Sequence, residues 1–305
     1  MKNTTPFYFK IFAGLLITLL FASRIQAQES IEVKEQSKSF SRGSFTAFTM
    51  EVPQANWRTV LSDWKTFLKQ QSKKSVSDKN GEIFLAKCLI GRLGADSIAV
   101  YSTVVSQPER ILISAFYFVD DSLPINSTTY TEKAGSIKVF MREFGVKEYQ
   151  LAVEHELADA MKVQKNLENN VEKIENENES LLKKINENNR NTSRKRDDIT
   201  ANEQEQKLKS DAILQQKTLL MNFNGTLDAR EKEEKKLSAL EKEKKKLQKG
   251  NESLHEKIDD NESENRSFQK KIDKNNDENI PAAKAAVNSQ KNQIAQIQDK
   301  LSKIK

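Results

Sequence analysis

The fold of this 305-residue chain is decided by the stretch 153–185, VEHELADAMKVQKNLENNVEKIENENESLLKKI. Steps of four and three residues from Val153 reach mostly apolar side chains, with Glu, Lys and Asn between them. This spacing is typical of a helix that buries one stripe against another helix, and it predicts a coiled-coil seam. The first register of the seam contains Leu157, Leu167, Val171, Ile174, Leu181 and Ile185, and a second contains Leu237, Leu240, Leu247, Leu254, Ile258 and Ile272.

We expect the coiled coil to span 151–280 with three breaks. The apolar seam lapses near 189–209, Asn224-Gly225 is a candidate hairpin tip at 224–225, and the helix stops near 274–281. Because Pro281 is tolerated in the first turn of a helix, residues 281–305 are predicted to form a separate C-terminal helix.

A charged helix of this kind is only marginally stable alone, so its apolar stripe needs a partner stripe. The partner is either a second chain or the tail folded back on itself, and a partly disordered helix is the third alternative. Asparagines in a seam lower stability but fix the register when they pair across it. The seam asparagines are Asn178, Asn188, Asn202, Asn251, Asn261 and Asn265.

Residues 28–150 have a different composition, with 15 of the 22 aromatic residues against two in 151–305. We predict a flexible leader at 28–43 and an α+β domain at 44–150. Its element order is β-α-β-β-β-α, which fits a mostly antiparallel four-stranded sheet with two helices on one face. The predicted core contains Trp57, Trp64, Phe67, Phe140 and Phe144. Ligand stacking is the alternative role for the two tryptophans.

Residues 1–27 are typical of a secretory signal peptide. The apolar run Ile11 to Ala22 spans about 18 Å as a helix, well short of a hydrocarbon core of about 30 Å. The best cleavage point lies between Ala27 and Gln28. We therefore expect a periplasmic or secreted protein without a stable membrane span after cleavage, and an uncleaved N-terminal anchor is the alternative.

Residues that carry chemistry are scarce. One Cys and two His exclude an intramolecular disulfide framework and a Cys-rich or His-rich metal site. His155 begins a sequence like HExxH, but Asp159 stands where the second imidazole would be. The net charge of +6 would fall to +3 on removal of three basic residues with the signal peptide, and the remaining charges are mixed. We predict no catalytic residue, no metal, no cofactor and no nucleic-acid partner.

The signal peptide, the pI near 9.1 and the long Lys/Glu-rich helices resemble those of exported coiled-coil proteins of Gram-negative bacteria. In composition they also resemble the Skp-type periplasmic chaperones, which are shorter and lack an aromatic head. The resemblance implies a location in the cell envelope.

We expect an exported, non-enzymatic structural or interaction protein with a small α+β binding head on an oligomerising coiled-coil stalk. Its partner through the tail would be a second copy of the chain or another helical protein. A periplasmic holdase that uses the helical tail is one alternative, and an enzyme with a site in the head is another.

Overall fold

The computed structural model describes residues 30–305, and the predicted signal peptide with its cleavage point at Ala27 and Gln28 lies outside the described residues. The chain divides into two compact units. The first comprises the chain up to Asn166 together with Ala286–Lys305, and the second comprises Leu167–Ala285.

The first unit is built on an antiparallel β-sheet, as the sequence predicted. Its strand order is β1-β2-β6-β5-β4-β3, and β7 pairs with β6 beyond the end of β2. The sheet therefore has seven strands instead of the predicted four. The strands are β1 (Val33–Phe40), β2 (Gly43–Pro53), β3 (Ser77–Lys79), β4 (Glu82–Cys88), β5 (Ile98–Gln107), β6 (Arg110–Val119) and β7 (Leu123–Pro124).

The flexible leader predicted at 28–43 was wrong for Val33–Phe40, which forms an edge strand. This strand pairs with β2 along its whole length, from Val33 opposite Met50 to Phe40 opposite Gly43. It has few apolar residues, so the sequence lacks the alternation that marks a half-buried strand. Backbone pairing holds it instead, together with Phe40, whose ring centroid lies 4.3 Å from that of Phe116 on β6.

Helix α1 (Trp57–Ser72) and the beginning of helix α2 (Thr131–Met221) contribute to the main core of the sheet. Trp64, Phe140 and Phe144 are buried in this core, and Phe67 is half-buried against it. Trp57, also predicted as a core residue, is 39% exposed. The apolar spacing placed Trp57 on the buried stripe, but it stands at the first position of α1, outside the buried cluster.

Helix α2 passes through the domain boundary predicted at 150/151 without a break. Gly145 lies inside it at a point of close approach, where a Cβ atom would lie 2.8 Å from Cγ2 of Ile31. Gly135 lies ten residues earlier on the same helix, and a Cβ atom there would meet nothing within 4 Å. Of these two glycines, only Gly145 is therefore required by packing.

The C-terminal helix α4 (Ile280–Lys303) completes the core of the first unit. Its residues Ile294 and Ile297 belong to the same buried cluster as Val153 of α2, and Leu157 packs against that cluster. Leu157, predicted to lie in the long seam, thus has its apolar neighbours within the first unit. The side-chain amide of Gln290 fixes this pairing by donating a hydrogen bond of 3.1 Å to the carbonyl of Ala160.

The second unit is a helical hairpin. Helix α2 ends at Met221, residues 222–226 reverse the chain, and helix α3 (Leu227–Lys274) returns antiparallel to α2. The Thr226 hydroxyl caps α3 by accepting a hydrogen bond from the N–H of Ala229. In this unit the helix that faces α2 therefore belongs to the same chain.

Two of the predicted breaks in the helices were wrong. Helix α2 is continuous through 189–209, because the polar residues there keep the spacing of the apolar ones. Near 274–281 the chain forms a π-helical turn, Asn275–Asn279, and continues directly into α4. The N–H of Ile280 bonds to the carbonyl of Asn275, which inserts one extra residue and accommodates Pro281 without ending the helix.

Candidate functional site

The thiol of the first unit is a packed side chain. Cys88 is buried, burial raises the pKa of its thiol, and its Sγ lies 3.3 Å from the carbonyl oxygen of Ile98. A thiol with a raised pKa is a poor nucleophile. Within residues 30–305, no group of three or more His, Cys, Asp or Glu side chains is placed to hold a metal ion.

Two tyrosines on adjacent strands differ in how their hydroxyls are satisfied. Within residues 30–305, the buried hydroxyl of Tyr117 on β6 has no hydrogen-bond partner, and burial raises the pKa of this phenol far above its ordinary value. The hydroxyl of Tyr101 on β5 donates to Asp121 and accepts from Arg42, both at 2.9 Å. Burial of the Tyr117 hydroxyl thus lowers the stability of the fold, whereas the hydrogen bonds of the Tyr101 hydroxyl offset the cost of its burial.

Glu148 is a buried carboxyl group of the first unit, at 3% exposure on α2. Burial raises its pKa to about 7, the carboxylate of Asp63 on α1 acts in the same direction, and Lys147 opposes them. Glu148 therefore gains a proton in the folded protein at a pH where an exposed glutamate has lost it.

The helical hairpin contains layers of paired asparagines. The amide of Asn202 donates to the side-chain oxygen of Asn251 at 2.8 Å, and the amide of Asn188 donates to Asn265 at 3.1 Å. The two pairs lie the same number of residues apart on both helices, which fixes one antiparallel register. A third layer joins Asn178 to Asn275 at 2.7 Å and to Asn276 at 2.9 Å.

The apolar layers of the hairpin lie between these asparagines at the same heptad spacing. Leu181, Ile258 and Ile272 are buried, as is Ile199 from the segment where the seam was expected to lapse. The remaining predicted seam residues of the second unit are half-buried: Leu167, Val171, Ile174, Ile185, Leu237, Leu240, Leu247 and Leu254.

Ion pairs flank the seam. They join Arg196 to Glu262 at 3.0 Å and Lys209 to Glu243 at 2.6 Å. Because most of these groups are exposed, each pair contributes at most about 1 kcal/mol. The ion pairs reinforce the register that the asparagine layers fix.

The turn of the hairpin exposes a group of apolar side chains, which we call the apolar tip. Leu214, Met221 and Leu227 are 67%, 83% and 86% exposed, and Leu219 lies beside them at 46%. Leu214 and Leu219 line an open groove of about 840 Å³ together with Phe223.

The loop at the tip is shaped by Gly225. A Cβ atom at this position would lie 2.8 Å from the ring of Phe223, so glycine allows the ring to lie against the loop. The ring is half-buried and forms one wall of the groove.

Sequence reasoning missed the apolar tip, although a signal was present. Residues 212–227, AILQQKTLLMNFNGTL, contain one charged residue, Lys217, within a tail that is otherwise rich in Lys and Glu. Such a gap in charge, combined with leucines outside the heptad positions, indicates apolar side chains without an intramolecular partner.

Comparison with known proteins gave no match to any family model, any curated protein or any solved structure. Over the described part of the chain, the helices lack an apolar stretch of the length that a bilayer crossing requires.

Proposed function

We propose that the protein is an exported, non-enzymatic interaction protein whose second unit is an intramolecular antiparallel coiled coil with a binding surface at its tip. The signal-like residues 1–27 support export. The heptad spacing, the asparagine layers and the flanking ion pairs support the coiled coil.

The exposed apolar tip is the observation that carries the proposal. Leucine and methionine side chains with exposures of 67% to 86% near one end of the hairpin are typical of an interaction site. The Met221 side chain adapts to irregular surfaces, and the adjoining groove gives the tip a concave part. This combination is typical of a site that receives apolar side chains from a protein partner.

The pairing of the helices in the second unit favours a different protein over a second copy of the chain. The long seam, which could otherwise hold two chains together, already faces a helix of its own chain.

The proposal is tested by photo-crosslinking in the native cells. A benzophenone amino acid replaces Met221 in one variant and Asn176, an exposed residue on the side of α2, in the control. We expect one discrete adduct from position 221, and we expect it to disappear when Leu214 and Leu227 are changed to serine. Equal adducts from both positions, or an adduct that survives the serine substitutions, would contradict the proposal.

The same exposed tip favours one alternative, a holdase that binds unfolded clients. The two functions differ in selectivity. A holdase suppresses aggregation of thermally unfolded citrate synthase, and the Leu214→Ser/Leu227→Ser variant loses that effect. An interaction protein with a dedicated partner leaves the aggregation unchanged.

A further inference from the structure

A second concave surface lies in the first unit, where the β2–α1 connection approaches the β5–β6 turn. It is an open cleft of about 470 Å³, a volume within the range of small-molecule sites. Trp57 lines it together with polar side chains from both segments. We call this surface the Trp57 groove.

The indole ring of Trp57 is held in place by its own donor. Its Nε1–H donates a hydrogen bond of 2.8 Å to the carbonyl of Val104 on β5. The residue is nevertheless 39% exposed. Because the N–H is used within the protein, the indole offers a ligand the carbon atoms of its rings and no hydrogen-bond donor.

The backbone on both sides of the groove is fixed before any ligand binds. Gln54 and Glu109 both adopt left-handed backbone conformations, with φ of 58° and 65°. The N–H of Gln54 donates to the carbonyl of Glu109 at 2.9 Å, which ties the two segments together. A site formed in this way needs little ordering when it binds a ligand.

Polar groups around the ring remain available. The exposed side chains of Arg58, Ser106 and Gln107 line the groove, and none of them has a side-chain hydrogen bond or ion pair within residues 30–305. Between them they offer guanidinium and amide donors, a hydroxyl and an amide acceptor. They can therefore bind several hydroxyl groups of one ligand.

Two arginines and one glutamate line the groove, and Glu51 outside the lining pairs with one of the arginines, so little positive charge is left over, which limits the class of ligand. Arg58 and Arg110 line it with Glu109, and Arg110 also forms an ion pair with Glu51. A nucleotide requires concentrated positive charge for its phosphates, and a cation over the ring would be repelled by Arg58. A neutral ring with an apolar face and many hydroxyls meets neither difficulty.

We propose that the Trp57 groove is a saccharide-binding site. The C–H face of one pyranose ring stacks on the indole, while Gln107, Ser106 and Arg58 bind its hydroxyls. This assignment agrees with the ligand-stacking alternative for Trp57 and is independent of the apolar tip.

The test is calorimetric titration of the purified full chain with chitotetraose, cellotetraose and maltotetraose. We expect at least one of these to bind with a Kd of about 1 mM or tighter, since an open cleft covers too little of the ligand to offset the cost of association by a wide margin. Trp57→Ala should weaken binding at least tenfold, and Gln107→Ala, on an exposed turn, should weaken it severalfold without affecting the fold.

The matched control is Leu89→Ala, which removes an apolar side chain that is 61% exposed outside the groove. Its affinity should equal that of the unmodified protein. The proposal is overturned if none of the three saccharides binds at 10 mM, or if binding is unchanged in both Trp57→Ala and Gln107→Ala.

Discussion

The pairing of Asn202 with Asn251 gives the sharpest prediction about the helical hairpin. The bond between their side chains measures 2.8 Å, and Asn251 is only 8% exposed. If Asn251 alone is changed to leucine, the amide of Asn202 loses its partner and faces an apolar side chain. That loss costs about 1–3 kcal/mol, and the added apolar surface returns about 1 kcal/mol. The single variant should therefore be less stable by about 1 kcal/mol.

The double variant Asn202→Leu/Asn251→Leu should change stability in the opposite direction. Two partly buried leucines contribute about 1 kcal/mol each, and the lost hydrogen bond costs about 1 kcal/mol. The net gain is about 1 kcal/mol. The double-mutant cycle should then give a coupling of at least 2 kcal/mol, which only residues in contact show.

The assay is urea unfolding followed by circular dichroism at 222 nm, where the helices dominate the signal. Asn176→Leu is the control, since Asn176 is exposed outside the seam, and its effect should stay within about 0.5 kcal/mol. Additive effects of the Asn202 and Asn251 substitutions would refute the pairing of these two residues in solution.

Three further predictions concern the first unit. Tyr117→Phe should raise stability by about 1 kcal/mol, because it removes a buried hydroxyl without a partner, whereas Tyr101→Phe should lower it by a similar amount; thermal unfolding compares them. Since the folded pKa of Glu148 lies above the unfolded value of 4.5, the folded state binds more protons and stability falls as pH rises from 4.5 through about 7. The decrease amounts to about 3 kcal/mol, and Glu148→Gln should abolish it in urea titrations between pH 4 and 8. Gly135→Ala should stabilise α2 by up to about 1 kcal/mol, but Gly145→Ala should destabilise the protein by its steric clash; equal melting temperatures would contradict this difference.

The antiparallel sheet, the long helix and the C-terminal helix could be predicted from the sequence, because their signals are local. Short, mostly apolar runs on either side of a turn mark β5 and β6, and the heptad from Val153 marks α2. The same heptad could not choose between a second chain and a returning helix. That choice depends on which distant residues meet, and Asn188 meets Asn265 of its own chain.

The errors arose where structure depends on distant neighbours. Val33–Phe40 is polar and becomes a strand because β2 offers it an edge, and the fully exposed β3 becomes a strand because β4 offers it one. Pro281 suggested a helix end, since a sequence pattern does not show that a π-helical turn can accommodate a proline. Trp57 lies on the apolar stripe of α1, so its spacing predicts burial. Its hydrogen bond to the carbonyl of Val104 joins two positions that are distant in the sequence, and a local pattern does not reveal it.

The claim on which the account rests is that the two helices of the second unit pair within one chain, in the register set by their asparagines. Disulfide crosslinking of the variant Asn188→Cys/Asn265→Cys tests it, because these side chains lie 3.1 Å apart across the seam and the natural Cys88 is buried. The control, Asn188→Cys/Asn251→Cys, displaces one thiol by roughly 21 Å along α3.

The oxidised variants are examined at low micromolar concentration by non-reducing electrophoresis and mass spectrometry. We predict that the 188/265 variant forms an internally crosslinked single chain and that the control does not. A covalent dimer linked between positions 188 and 265 of two chains would contradict intramolecular pairing.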